Sequence, residues 1–351
     1  MGRAPGRMEF SCSLPVLRDR AASHPYQHMF DLARVAEASG FSTVTIGHHH
    51  FMAENLSDPL TVLAAVAART DSVRLGTGIF QLPLHDPLRV AEQVATVDEL
   101  SGGRVTLGVG LGWWLTEYEA HGARFSERGA RMDEALEVLR LVWSEERASF
   151  DGRFTRFPEV TVQPRPVQVP HPPLWVAGVD DRAVRRAARL GDAWIAGPVQ
   201  SLATVRSCLA VYRDECARLA RPAAWALRRY AWVGADGDRV QDVLPRYVES
   251  LLAHWRESVE DLAERSLFER IDAGEMVPPA EIAADRLVWG TPDQAVAQIE
   301  RYRAGTGCTH LHVAFGAGLP ADAGGPSGLG DAGEVAEMMR LFGSEVIPAF
   351  A

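Results

Sequence analysis

Short apolar runs alternate with longer amphipathic stretches along nearly the whole chain. The runs at 9–14, 43–46, 73–78, 105–109, 174–177, 193–196, 227–233 and 310–315 have the length and residue types of strands. Between them, apolar positions recur at spacings of three and four. From 127 to 143, Met132, Ala135, Leu136, Leu139, Val142 and Trp143 make one stripe of a helix. The stretch 28–40 turns Phe30, Ala33 and Ala36 inward and stops at Gly40. The stretch 86–100 opens beside Pro87, a residue suited to a first helical turn. Such alternation predicts βα units around a parallel sheet, and eight strands close a barrel. Two doubly wound domains would need a linker, and none is visible between 9 and 143. The expectation is a single α/β domain, a (β/α)8 TIM barrel over 9–351, preceded by a flexible extension at 1–8.

Three stretches break this rhythm. Residues 148–173 carry Asp151-Gly152 and then six prolines, which reads as a hairpin followed by an extended return. Residues 260–289 form a second, partly helical insertion. Residues 316–333 are rich in Gly, Ala and Pro and follow the last strand directly, as a lid or a loop would. All three are expected over the C-terminal face, where barrels build their sites.

Composition narrows the function. The formal net charge is −10 with no long basic block, which points away from nucleic acid and anionic membranes and toward a small-molecule substrate. No apolar run approaches the roughly 20 residues of a membrane helix, and Met1–Arg7 leads into no signal core. A cytoplasmic protein is expected. Cys12, Cys208, Cys216 and Cys308 are scattered, so they read as reduced, buried thiols, suiting neither a zinc site nor a disulfide framework.

Candidate chemistry clusters at strand exits. The second strand leaves through Gly47-His48-His49-His50-Phe51. Neighbouring side chains leaving a strand alternate, so one or two of these histidines face the barrel mouth. A histidine there serves as general base, or it merely packs. A metal site lacks company, because no further ligand stands at ligand spacing in sequence. The third and fourth exits, through Gly78-Ile79 and Gly110-Leu111-Gly112-Trp113-Trp114, put glycines where backbone can approach a flat ligand. The fifth exit, Ala177-Gly178-Val179-Asp180-Asp181, runs straight into a helix. A helix N-terminus binds anions, yet carboxylates there cap the helix themselves and repel a phosphate.

Together these exits resemble the luciferase-like flavin-dependent oxidoreductases, in order, from Glu9 to Phe350. The most specific stretches are Leu82-Pro83-Leu84-His85-Asp86-Pro87 through Glu92-Gln93, Asp98 to Arg104, and Leu107 to Gly112 with Glu117, Glu119 and Gly122. Gly290-Thr291-Pro292 and the C-terminal Leu341-Phe342 to Val346-Ile347-Pro348 also fit. The resemblance implies a barrel that binds reduced FMN, or the deazaflavin coenzyme F-420, on its C-terminal face. His49 falls at the family's catalytic histidine, in a Glu-His-His-Phe motif where His48 replaces the glutamate. Gly78–Ile79 falls where members carry a cis peptide against the flavin ring, and Gly178–Asp181 where they hold the phosphate. Gly110, Leu111, Ala177 and Val179 complete the implied cofactor set; Phe51, Trp113 and Trp114 are the substrate-pocket candidates. Two departures stand out: Leu111 occupies a position that is arginine in luciferases proper, and Asp180 and Asp181 replace Ser, Thr or Asn. They imply weak flavin binding, a phosphate held elsewhere, or loss of the cofactor. The expected activity is a two-component monooxygenase fed by a flavin reductase and working as a homodimer. The alternatives are a deazaflavin-dependent hydride-transfer enzyme and a non-catalytic flavin-binding subunit.

Overall fold

The computed structural model describes residues 7–16, 24, 26–52, 56–258, 265–316 and 332–351, with only the backbone described at 254–258 and 265. Twelve strands occur in this region: β1 (Glu9–Ser13), β2 (Thr43–Ile46), β3 (Arg74–Thr77), β4 (Phe80–Gln81), β5 (Val105–Gly110), β6 (Ala148–Asp151), β7 (Arg156–Val160), β8 (Leu174–Gly178), β9 (Ala193–Ala196), β10 (Trp225–Val233), β11 (Leu287–Gly290) and β12 (His310–Phe315). β1, β2, β3, β5, β8, β9, β10 and β12 pair in parallel in that order, and β12 closes onto β1. The result is the expected closed eight-stranded barrel with helices between its strands.

Alternation of side chains along each strand divides the interior into two zones. Cys12, Val44, Ile46, Leu75, Leu107, Val109, Val176, Trp194, Leu311 and Val313 are buried in the apolar core between strands and helices. The lumen is different. Barrel interiors are usually filled by layers of branched apolar residues. Here Ser11, Ser13, Thr43, Thr45, Thr106, His310, His312 and Arg228 occupy it, beside Trp175 and Ile195.

The start of the barrel meets the C-terminal turn. Met8 is buried, and its N–H donates to the Phe350 carbonyl at 3.1 Å, so the packed fold includes Met8. The exits carry the irregular elements. After β3 the chain passes through Gly78–Ile79 and resumes as β4, which pairs with the upper end of β5. β11 lies beside the upper half of β10, from Tyr230↔Leu287 to Val233↔Gly290, where β9 has already ended. This short strand was not foreseen, because Leu287-Val288-Trp289 is too brief to separate from the insertion around it.

One expectation needs correction. The first insertion does contain a hairpin, β6–β7, but it follows the helix Arg128–Ser144, not a strand. A helix returns the chain to the N-terminal end of the barrel, so this insertion lies there and not over the C-terminal face. Gln168 fastens it: its backbone N–H and side-chain amide donate to Asp98 at 3.0 and 2.7 Å, and the amide also reaches the carbonyl of Val105, the first residue of β5. The loop proposed as a lid, apart from Gly316 and residues 332–333, lies outside the described residues.

Candidate active site

β2 ends at Ile46, and the three histidines that follow separate as alternation requires. His48 and His50 are buried. His48 stacks on Phe80 with ring centroids 4.8 Å apart. His49 turns the other way, toward the C-terminal end of β5 and the helix Leu115–Ala120. There its Nδ1 lies 3.1 Å from Glu117 Oε1 and 3.0 Å from Gln81 Nε2. The Trp113 ring meets it edge-on at 5.6 Å.

Glu117 is the centre of this arrangement. Its side chain has no exposed surface, yet it accepts from His49, from the His50 backbone N–H at 2.7 Å and from Gln81 Nε2 at 2.9 Å. Burial alone raises a carboxyl pKa; here the hydrogen bonds from His49, His50 and Gln81 outweigh it, so Glu117 lies below its ordinary range. An ionised Glu117 draws the proton to His49 Nδ1 and leaves Nε2 as the ring's basic nitrogen. This is the way a buried carboxylate fixes the tautomer of a catalytic imidazole. The approach of Gln81 Nε2 to Nδ1 is then a contact between two donors and not a hydrogen bond.

His48, His50 and His85 bring three ring nitrogens within 4.8 Å of one another. The expectation that the triple histidine lacks further ligands is therefore overturned: His85, remote in sequence, completes the group. Its Nε2 is buried without a hydrogen bond. The geometry also opposes a metal ion. The Gln81 backbone N–H donates to His48 Nδ1 at 3.1 Å, which puts the ring's own proton on Nε2, 3.1 Å from His50 Nε2. An ion at Nε2 would have to displace that proton and break the backbone bond. Burial, with neighbouring histidines adding to it, lowers His48 to about 2 and His85 to about 4, so both are neutral near pH 7.

The flavin-site candidates fall at neighbouring strand ends. The Gly78–Ile79 peptide is cis. A Cβ on Gly78 would lie 2.5 Å from Thr45 Oγ1 and 3.1 Å from its Cβ, so that position favours glycine for close approach, whereas a Cβ on Gly110 would crowd only the flexible end of Ile79, at 2.7 Å. Beneath them a small cavity is lined by Gly78, Ile79, Gly108, Trp175, Ile195 and Arg228. Arg228 Nη1 donates to the Gly78 carbonyl at 3.0 Å. Thr43, Thr45, Thr77, Thr106 and His312 also line this cavity, and its volume of about 20 Å³ holds a water and not a ring, so a flavin would lie above it, at the strand exits.

The phosphate end fits less well. Asp180 caps the helix Asp181–Leu190 by accepting from the Ala183 N–H at 2.8 Å, so that N-terminus already holds a carboxylate. Gly178 is demanded by packing, since a Cβ would meet Ala183 Cβ at 2.6 Å. Val179 spends its carbonyl on Gln200 and Cys208. The Leu111 carbonyl accepts from the Tyr118 hydroxyl. Of the pocket candidates, Trp113 reaches His49. Trp114 instead precedes the helix Leu115–Ala120, and Phe51 is exposed, with its ring against His50 and His121.

The luciferase-like monooxygenase profile matches residues 8–310. The chain belongs to the luciferase-like monooxygenase family. Within that likeness, monooxygenase RslO1 from Streptomyces bottropensis superposes with a TM-score of 0.81 at 27% identity, covering 98% of this chain and 100% of that one. The oxygenase component of a flavin-dependent trigonelline monooxygenase from Acinetobacter baylyi is 32% identical over 169 residues, 47% of each chain. The F-420-dependent tetrahydromethanopterin reductase of Methanopyrus kandleri, at 19% identity and a TM-score of 0.75 over 98% of this chain and 100% of that one, shares the fold. The first curated sequence relatives are matched over 47% to 66% of their own length. In this luciferase-like chain, the sequence singles out His49 as a candidate and gives no such sign for Gln81, Glu117 or Arg228. In the sequence, Glu117 stands out only as part of a characteristic stretch. Its total burial, the property that matters, is invisible in sequence.

Proposed function

We propose that this protein is the oxygenase of a two-component system, taking reduced FMN from a separate flavin reductase and using O2 to oxygenate a small organic substrate. The observation that carries this reading is the His49–Glu117–Gln81 group standing beside Gly78–Ile79 and Trp113 at the open end of the barrel. The likeness to a flavin-dependent oxygenase component supports it. Bound flavin would supply the oxygen chemistry; the protein supplies orientation, exclusion of water and proton handling. Ile79 and Gly110, at the strand exits, would seat the ring, and Gly178–Asp181 is the candidate phosphate end. His49 Nε2 would accept or return a proton at the substrate. The protein would act in the cytoplasm as a homodimer.

Anaerobic titration with reduced FMN and with reduced coenzyme F-420, followed by oxygen, tests the proposal. Binding of reduced FMN with subsequent oxygen uptake is the expected result. Binding of the deazaflavin alone, without oxygen uptake, would replace the reading with hydride transfer. Flavin binding without turnover of any substrate would fit a non-catalytic subunit.

A further inference from the structure

The polar lumen contains a hydrogen-bonded chain from His310 to Ser13 and Thr45, with Glu9 at ion-pair distance from its lower end. Glu9, Ser11 and Ser13 alternate along the inner face of β1, and His310 and His312 along that of β12. The registers Glu9↔His310, Ser11↔His312 and Ser13↔Thr45 set these groups side by side. Glu9 Oε2 lies 3.4 Å from His310 Nδ1, and His310 Nε2 lies 2.9 Å from Ser11 Oγ. Ser11 Oγ is in turn 2.8 Å from His312 Nδ1. His312 Nε2 reaches Ser13 Oγ at 2.9 Å and Thr45 Oγ1 at 3.3 Å. Glu9, at the N-terminal rim, has a side chain 29% exposed, whereas Ser11 is fully buried. The upper end, Thr45 with His312, borders the cavity under Gly78.

We infer that Glu9, His310, Ser11, His312 and the Ser13/Thr45 hydroxyls form a proton path through the barrel, between the C-terminal cavity and water at the N-terminal rim. Its polarity follows from counting protons. A hydroxyl has one, so Ser11 donates to one imidazole and accepts from the other. A carboxylate only accepts. If the Glu9 carboxylate, 3.4 Å away, holds the His310 ring proton on Nδ1 and each ring carries one proton, a single arrangement satisfies every bond. His310 Nδ1–H points to Glu9, the Ser11 hydroxyl donates to His310 Nε2, His312 Nδ1–H to Ser11, and a Ser13 or Thr45 hydroxyl to His312 Nε2. Every donor points toward Glu9.

A concerted shift breaks one N–H or O–H bond and makes one at each intermediate group. It leaves Glu9 as a carboxylic acid and lets the upper hydroxyl take a proton from an acidic group in the cavity. Exposed Glu9 then passes its proton to water. The reverse shift, fed by water through Glu9, restores the starting tautomers, so one departure and one return complete a cycle without any ring turning over. The charged neighbours fit this direction. Arg228 lines the cavity at the upper end and interacts with His312, repelling positive charge there, while the Arg74 guanidinium interacts with Glu9 and favours its ionised form.

The cavity donor rests on the flavin reading; the path itself does not. In the protein without cofactor, 15N NMR of labelled histidines is expected to show both His310 and His312 as Nδ1–H tautomers. An Nε2–H tautomer at either ring would overturn the polarity. Exchange of the His312 ring proton with solvent should slow by about tenfold or more in Ser11→Ala, which cuts the chain, and in Glu9→Gln, which removes its acid. Glu9 lies at the rim, so Glu9→Gln decides the matter if Ser11→Ala fails to fold. Unchanged exchange in folded Glu9→Gln would overturn the path. A third measurement follows proton release into a pH-indicator dye on anaerobic mixing with reduced FMN. Release should be about tenfold slower in Glu9→Gln at unchanged FMN affinity, and equal rates would remove the path from the reaction. If reduced FMN does not bind at all, the flavin reading fails, and the two NMR measurements still decide the path.

Discussion

Glu117→Gln probes the reasoning about the site most directly, because the side chain keeps its shape and loses only its charge and one acceptor. The carboxylate accepts from His49 Nδ1, the His50 N–H and Gln81 Nε2. A glutamine has one acceptor oxygen, and its NH2 must face either the His50 N–H or the Gln81 amide. One buried donor is then unpaired whichever way the amide turns, at a cost of about 1–3 kcal/mol. The pH dependence separates this from general damage. Glu117 is held below its ordinary value, so its contribution is complete above the unfolded-state pKa of about 4.3 and is lost as pH falls through the folded value. Chemical denaturation from pH 7 downward should therefore show a wild-type decline in that acid window that the variant lacks. The catalytic effect is separate: without a carboxylate to receive Nδ1–H, the His49 tautomer is no longer fixed. Turnover should fall by about 10²–10⁴-fold, and 15N shifts of His49 should report the tautomer change without any cofactor present. A variant within about 0.5 kcal/mol of wild type, with an unchanged His49 tautomer and normal turnover, would refute the assignment of Glu117 as the positioning group.

His49→Ala should lower turnover by about 10²–10⁴-fold while barely shifting the denaturation midpoint; normal turnover with the natural substrate would make the residue structural. Asp180→Asn combined with Asp181→Ser keeps a capping side chain and removes two charges, each worth about 1 kcal/mol against a nearby phosphate at low salt. FMN should then bind several-fold tighter while riboflavin barely moves, and an equal response of both ligands would place the phosphate elsewhere. Gly178→Ala should destabilise by about 1–3 kcal/mol, read by denaturation, because the new Cβ would sit 2.6 Å from that of Ala183; an unchanged midpoint would show that the strand and helix part easily.

The barrel and its eight strands were legible because two signals repeat along the chain. Apolar runs such as 105–109 bury both faces of a strand, and stripes such as Met132 to Trp143 bury one face of a helix; both are local patterns with fixed periods. Strand ends are equally local, which is why His49, Gly78 and Asp180 were nameable as candidates. Tertiary structure decided the rest, because it depends on which residues a closed sheet brings side by side. Topology put the proline-rich insertion at the N-terminal end, a matter of whether a helix or a strand precedes it. Packing buried Glu117 against His49 across 68 positions of sequence, and no period connects them. Barrel closure alone paired β1 with β12, turning two serines and two histidines, some 300 residues apart, into neighbours within hydrogen-bond reach. Hydrophobic periodicity records what each segment hides from water; which polar groups share the hidden space is fixed only by the register in which the strands meet.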